Sequence, residues 1–305
     1  MKKLVILFIL MCLIVITACS KGKQDMVNEL EFKYPNIKNV EIKGALFDIK
    51  GEGNDTSVIT GNIETSNKNY MLFHKQEGDK LVIWFERKWW AIFSFPGKHK
   101  LTIQVPFSTN IKIYNSSGKV HIKNIDAENV ILKTSSGKII AENIKADQRY
   151  HASSGGIILN KAFSSDEISL GASSGNIKID GVEADIKVRT SSGKITINDV
   201  NGNIKASASS GFIIIKDYKG SLELSTSSGS IKGEEINITS DSSFKTSSGN
   251  ISIDYANINE DFSFDLKASS GKLKAGTVDT RGELHAGNGS IKIIGRSTSG
   301  NQSYK

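Results

Sequence analysis

Proline disappears after Pro106: the last 199 residues contain none, and the whole chain has 3 prolines against 28 glycines. Proline removes a ladder donor and interrupts sheets, so its absence clears a long stretch for hydrogen-bonded strands. Cysteine is scarcer still. Both copies, Cys12 and Cys19, fall in the first nineteen residues, which leaves the rest of the chain without a disulfide, a cysteine metal site or a thiol nucleophile. A charge of one sign is also missing. The net charge is +7, but from Phe107 onward 24 Lys and Arg face 21 Asp and Glu, short of the dense basic field that nucleic acid demands, so DNA and RNA are excluded as expected partners. With 38% hydrophobic and 23% charged residues in 305, the chain has ordinary globular proportions.

The N-terminus reads as an export signal. Lys2 and Lys3 precede an apolar run from Leu4 to Ile16, which is followed by Thr17-Ala18-Cys19. About thirteen apolar residues at ~1.5 Å each cannot cross a ~30 Å hydrocarbon core, so this is not a permanent membrane helix. Small residues directly before a cysteine resemble a bacterial lipobox. That resemblance implies removal of residues 1–18 as a lipoprotein signal peptide, acylation of Cys19, and anchoring of an exported protein in the bacterial cell membrane or outer membrane. Residues 19–37 are then the lipidated cysteine and a polar tether, and the membrane, reached through Cys19, is the first expected partner.

The body of the chain is a repeat. Ser-Ser-Gly recurs with its glycine at 118, 137, 155, 175, 193, 211, 229, 249 and 271, and Asn288-Gly289 follows in the same frame. Two residues after each glycine stands an aliphatic: Val120, Ile139, Ile157, Ile177, Ile195, Ile213, Ile231, Ile251, Leu273 and Ile291. Four after it the residue is again mostly apolar, and three before it the residue is always small, from Asn115 and Thr134 to Ala286. Alternation with period two predicts strands with one buried face on either side of a narrow corner. Glycine is expected there for a positive φ, and serine for bonds to nearby backbone. Two architectures fit this pattern, an antiparallel meander and a solenoid. The invariant corner favours the solenoid, because stacking sets equivalent positions above one another.

The fold class expected is therefore all-β: a parallel β-helix-like solenoid of about ten coils of 18–20 residues with an irregular N-terminal β cap. Ten coils at ~4.8 Å make a rod of roughly 50 Å. The domain boundaries expected are a cap with the first coils over 38–106, solenoid repeats over 107–294, and a polar tail over 295–305 that frays. A single coil buries too little apolar surface to offset the entropy of ordering it, so the array must fold cooperatively with covered ends.

These residues resemble a known family of bacterial envelope proteins labelled "putative adhesin", a domain of unknown function with a serine-glycine-x-aliphatic-x-aliphatic coil signature. Leu101-Thr102-Ile103-Gln104-Val105-Pro106, leading through Ile111-Lys112-Ile113 into Ser116-Ser117-Gly118-Lys119-Val120, is similar to the strand that enters its repeats. The resemblance spans 38–295 and implies the solenoid; it implies no activity. Many members carry aspartate after the corner glycine, where this chain has residues such as Lys119, Lys138, Asn176 and Phe212.

Chemistry-bearing patterns are few. The five histidines, His74, His99, His121, His151 and His285, show no metal-ligand spacing, and no nucleophile elbow, phosphate loop or dinucleotide fingerprint is present. Neither a metal nor a cofactor is expected. Asp180, Asp199 and Asp217 stand near successive non-serine bends; stacked, they would offer the clustered carboxylates of a polysaccharide lyase or hydrolase, although Asp is also an ordinary turn residue. Outward positions supply a second candidate. Ile140, Ile158 and Ile214, with Phe212 beside the last, are expected on the outer face as an apolar strip. A third is the aromatic stretch with Trp84, Trp89 and Trp90, able to stack on sugars, meet a membrane interface, or fill the cap. The leading expectation is a lipid-anchored envelope solenoid that binds a protein or polysaccharide of the envelope or host without catalysis. A polysaccharide-active enzyme and a plain spacer are the alternatives.

Overall fold

A computed structural model describes residues 28–67, 69–87, 97–256 and 261–305. Cys19, the signal segment, Trp89 and Trp90 lie outside the described residues. Strands account for nearly all of the regular structure, and the described chain holds no helix.

The repeat dictates two parallel ladders. One carries strands that lead into the Ser-Ser-Gly corners, among them Asn110–Asn115, Ile168–Ala172, Ile186–Thr190, Ile204–Ala208, Leu222–Thr226 and Ser242–Thr246. The other carries strands that leave them, among them Ile157–Phe163, Ile177–Glu183, Ile195–Asn201, Ile213–Gly220, Ile231–Ile238 and Ile251–Tyr255. Val120–Thr134 and Ile139–Ala152 run unbroken through the bend and contribute to both. Each strand pairs in parallel with its equivalent one coil away: Val120, Ile139, Ile157, Ile177, Ile195, Ile213, Ile231 and Ile251 stand in one register column. Every member of that column is buried, within one continuous apolar core between the ladders. The chain therefore winds about a single axis as a β-solenoid.

The corners are built differently from the expectation. Most corner glycines have no positive φ; Gly118, Gly271 and Gly300 do. Glycine is needed because the backbones approach too closely for a side chain: a Cβ on Gly137, Gly155, Gly175, Gly193, Gly211, Gly229 or Gly249 would fall inside the carbonyl group of the glycine one coil below. The small residue three positions earlier has a role where it is threonine. Thr226 Oγ1 accepts from Gly229 N at 3.1 Å and donates to Gly211 O, also at 3.1 Å, pinning two coils with one hydroxyl; Thr190 and Thr246 repeat the pair. Positive φ is concentrated instead at the position six after the corner glycine, in Asn124, Asn143, Lys161, Gly181, Asp199, Asp217 and Glu235, with φ from 49° to 65°.

Both ends depart from sequence order. Asn39–Lys43 and Asp48–Asn54 form a coil that pairs on one side with Lys80–Arg87 and His99–Pro106, and on the other with Asn110–Asn115 and Val120–Thr134. The early coil is thus inserted beneath a later one. At the far end Ile291–Ser299 and Gln302–Tyr304 slot between the coil of Ser242–Thr246 and Ile251–Tyr255 and the strand Phe262–Ala275. The corner glycines accordingly stack in the order Gly249, Gly300, Gly271.

Three expectations are corrected here. The corner of the inserted coil is Ser299-Gly300, not Asn288-Gly289, and a Cβ on Gly289 would meet Asp261 instead of a corner glycine. Residues 295–305 are not a fraying tail: Tyr304 is fully buried, and Gln302 donates to Lys267 O and Ser297 Oγ at 2.9 and 2.8 Å. Their polar sequence concealed a coil whose hydrogen bonds are satisfied internally. Asn28–Pro35, assigned to the tether, is an edge strand antiparallel to Val58–Thr65, with Phe32 covering Gly61. Antiparallel strands also close the rest of that end, where Tyr70–Glu77 lies on Lys80–Arg87 and Val58–Thr65 on His99–Pro106.

Candidate binding surface

Outward side chains of the first ladder occupy the positions four and six residues before each corner glycine. In register order the inner row reads Lys112, Ile131, Arg149, Ser169, Lys187, Lys205 and the outer row Tyr114, Lys133, His151, Gly171, Arg189, Ser207. Nearly every one of these six coils thus presents a cation and none a carboxylate, and the inner row is bounded by Glu41 beside Lys112 and Glu223 beside Lys205. The outer row continues toward the N-terminal end through Lys43, Trp84 and Phe73. Aromatic and cationic side chains therefore alternate from Trp84 through Lys43 and Tyr114 to Lys133, and Lys133 Nζ sits 5.7 Å from the Tyr114 ring centroid, within cation–π reach.

Acidic residues stand at the margins of these rows. Asp147 pairs with Arg149 at 3.3 Å and Glu167 approaches Lys187 at 3.9 Å, both from the bend, while Glu223 in the following coil holds Lys205 at 2.7 Å. Side chains of Arg149 and Lys205 are about half exposed or more, at 64% and 48%, so these pairs are weak and can be exchanged for a ligand anion. In the middle, Gly171 removes a side chain from the outer row. The resulting groove encloses about 990 Å³ between Lys133, His151 and Arg189 on one rim and Asp147, Asp166 and Glu167 on the other. Its chemistry suits recognition: cations for anionic groups, an open floor for a ring, and the Ser169 hydroxyl alongside.

The apolar strip expected on the second ladder is divided. Ile140 and Ile158 are register neighbours, but Lys178 and Thr196 separate them from Ile214. All three isoleucines are half-buried and only Phe212 is well exposed, at 55%. Trp84 is half-buried, stacks on Phe73 at 5.8 Å between centroids, and donates to Glu86 Oε1 at 2.8 Å.

The three aspartates do not assemble. Asp180 is in register with Asn198, which donates to it at 2.7 Å, whereas Asp199 and Asp217 take the left-handed bend position one residue further on. Asp serves there as a residue that tolerates positive φ. Among the described residues no group of three or more His, Cys, Asp or Glu could hold a metal.

Among outward positions, the sequence reading weighs only those after the corner glycine; before it, only the inward apolar and the small residue are read. The same repeat frame contained the signal, since Lys133, Arg189, Lys187 and Lys205 recur at two fixed offsets.

The sequence profile of the Toastrack DUF4097 family matches residues 37–303, most of the chain. Among solved structures, a putative adhesin from Bacteroides fragilis is 10% identical, covering 93% of this chain and 98% of its own, with a TM-score of 0.40. A putative adhesin from Parabacteroides merdae is 14% identical, covering 72% and 98%, at 0.39. A putative lipid binding protein from Parabacteroides distasonis is 15% identical, covering 93% and 98%, at 0.36. No curated protein matches the chain.

Proposed function

The chain belongs to the Toastrack DUF4097 family, and from that premise we propose a lipid-anchored, exported envelope protein whose solenoid acts as a non-catalytic, adhesin-like binding surface. The membrane attachment rests on the lipobox-like Ile16-Thr17-Ala18-Cys19. The binding role rests on one observation above the others: six successive coils whose outward rows on the first ladder carry Lys112, Lys133, Arg149, Lys187, Arg189 and Lys205 with no carboxylate between the flanking Glu41 and Glu223. The chemistry that complements this surface is an extended anionic polysaccharide of the envelope or host. One coil step of ~4.8 Å is close to the rise of one sugar, so charges along such a chain meet successive coils in turn. Aromatic faces at Tyr114 and Trp84 give a sugar ring somewhere to stack. Catalysis finds no support, because Asp180, Asp199 and Asp217 serve as ladder and bend residues.

Binding of an acidic and a neutral polysaccharide to the purified protein tests this reading. The acidic polymer is expected to bind with an affinity that falls as salt rises, and Arg149→Glu with Arg189→Glu is expected to weaken it at least tenfold. Equal binding of both polymers, or none, overturns the basic face as the binding site. For the anchor, Cys19→Ala is expected to release the protein from membranes; retention needing detergent for extraction rules out the lipid assignment.

A further inference from the structure

The C-terminal end of the stack closes on Val278–Ala286, which pairs antiparallel with Phe262–Ala275 and, among the described residues, with nothing else. Its other edge therefore presents a row of free backbone donors and acceptors, a template for one more strand. Edge strands are commonly protected by charge of one sign, but acidic and basic side chains alternate here: Asp279, Arg281, Glu283 and His285 are exposed, Glu283 and Asp279 share exposed ion pairs with Lys267 and Lys272 of the neighbouring strand at 2.5 and 2.9 Å that leave their outer oxygens accessible, and Gly282 lies at the centre with φ 85°. Reversing the strand about Gly282 sets Arg281 opposite Glu283 and Asp279 opposite His285. The charge pattern is its own complement.

We propose that this edge pairs with the same edge of a second copy of the chain, in a two-fold dimer whose axis passes at Gly282. Opposite charges facing each other across antiparallel strands stabilise the pair, whereas a slip of one residue puts side chains on opposite faces and loses the match. The contact is isologous and closes at two copies, unlike a head-to-tail contact, which would propagate. The partner strand continues the ladder that Ser-Ser-Gly corner 269–271 bends, since Val278–Ala286 follows that corner and shifts register between Lys267 and Lys272.

The dimer has a consequence that rests on the proposed lipid anchor. Asn28–Pro35 lies at the opposite end of the stack from Val278–Ala286. Two rods joined end to end therefore hold their anchors at opposite extremes, so the pair bridges two membranes instead of sitting on one. A single strand pair is a weak contact, but many copies on facing surfaces act together.

Sedimentation velocity of the full chain in detergent, over a range of concentrations, tests the pairing independently of anchoring. A monomer–dimer equilibrium is expected, weakened about tenfold or more by Arg281→Glu or by Glu283→Arg and restored by the two substitutions together, because the swapped charges again face each other. A wild type that stays monomeric at the highest attainable concentration, species that grow beyond a dimer, single variants that dimerise as the wild type does, or a double variant that is not restored would each overturn the proposal. Clustering of vesicles carrying the protein reads the anchor separately: a dimer in solution without clustering leaves the pairing standing and counts against the lipid attachment.

Discussion

A Cβ built on Gly193 would fall inside the carbonyl group of Gly175, one coil below it, and the same relation holds between Gly211 and Gly193. The corner has no alternative place for a methyl group, because the obstructing atoms are backbone in a hydrogen-bonded ladder. Gly193→Ala is therefore expected to destabilise the fold by about 2–4 kcal/mol through overpacking and backbone displacement. Gly276→Asn is the control. Gly276 has φ 57°, and a Cβ placed on it would have nothing within 4 Å, a conformation that Asn accepts at little cost. Chemical denaturation with equal slopes measures both; an alanine variant within about 0.5 kcal/mol of wild type rules out close stacking as the reason for glycine.

The repeat frame made the solenoid legible because one spacing rule recurs in every regular coil and core columns follow directly from it. Order at the ends was not legible. Nothing in a strand's own pattern says which neighbour it will meet, and Gln302-Ser303-Tyr304 replaces the aliphatics that marked other coils. Its core role emerges only in three dimensions, where Gly295 leaves space beside Gln302 and Tyr304. The binding surface was half legible: the basic rows lie in the same frame as the core, but a cation at an outward strand position is common, and only the stacked register shows that six successive coils between Glu41 and Glu223 carry no carboxylate there. Asp199 and Asp217 were misleading because residues that tolerate positive φ and residues that do acid–base chemistry are partly the same residues.

The bend column offers a stabilising change. Glu235 holds φ at 54° and Lys161 at 52°, whereas Gly181 occupies the equivalent place at no steric cost. Relief of the left-handed strain outweighs the added freedom of the unfolded chain, so Glu235→Gly is expected to stabilise by about 0.5–1 kcal/mol. A lowered melting temperature would show that the Glu235 side chain contributes more than its backbone costs.

Acid sensitivity should arise from two cap histidines. His99 is buried beside Phe47 and Tyr70, with Nδ1 2.7 Å from Thr65 Oγ1. His74 lies 4.6 Å from the Phe32 ring and 2.8 Å from the Tyr34 hydroxyl. Burial holds both below the ordinary imidazole value. In the unfolded chain each takes a proton near pH ~6.5, so their contribution is complete above that pH and is lost as pH falls from there toward the lower folded values. The denaturation midpoint is expected to drop between pH ~7 and ~5.5, before most carboxylates titrate, and the drop to shrink in His99→Gln. An unchanged pH slope in that variant assigns the sensitivity elsewhere.

Tyr304 decides whether the inserted C-terminal coil is integral to the fold. Its ring is fully buried and packs near Phe244 at 5.7 Å and Phe264 at 5.9 Å between centroids. Its hydroxyl donates to Gln302 Oε1 at 3.2 Å, and burial raises its pKa well beyond the ordinary phenol range. Removing the ring leaves a cavity between two coils and an acceptor on Gln302 without its donor, so Tyr304→Ala is expected to cost about 3–5 kcal/mol. Gly295→Ala attacks the same contact from the other side, because a methyl group there would enter the space of Gln302 and Tyr304. The inserted coil also covers the strand Phe262–Ala275 and, through it, Val278–Ala286. Amide hydrogen exchange in Tyr304→Ala should therefore speed up across 262–286 first and leave 120–230 protected. Uniform protection with no loss of stability would mean that the last residues merely rest against a stack complete without them.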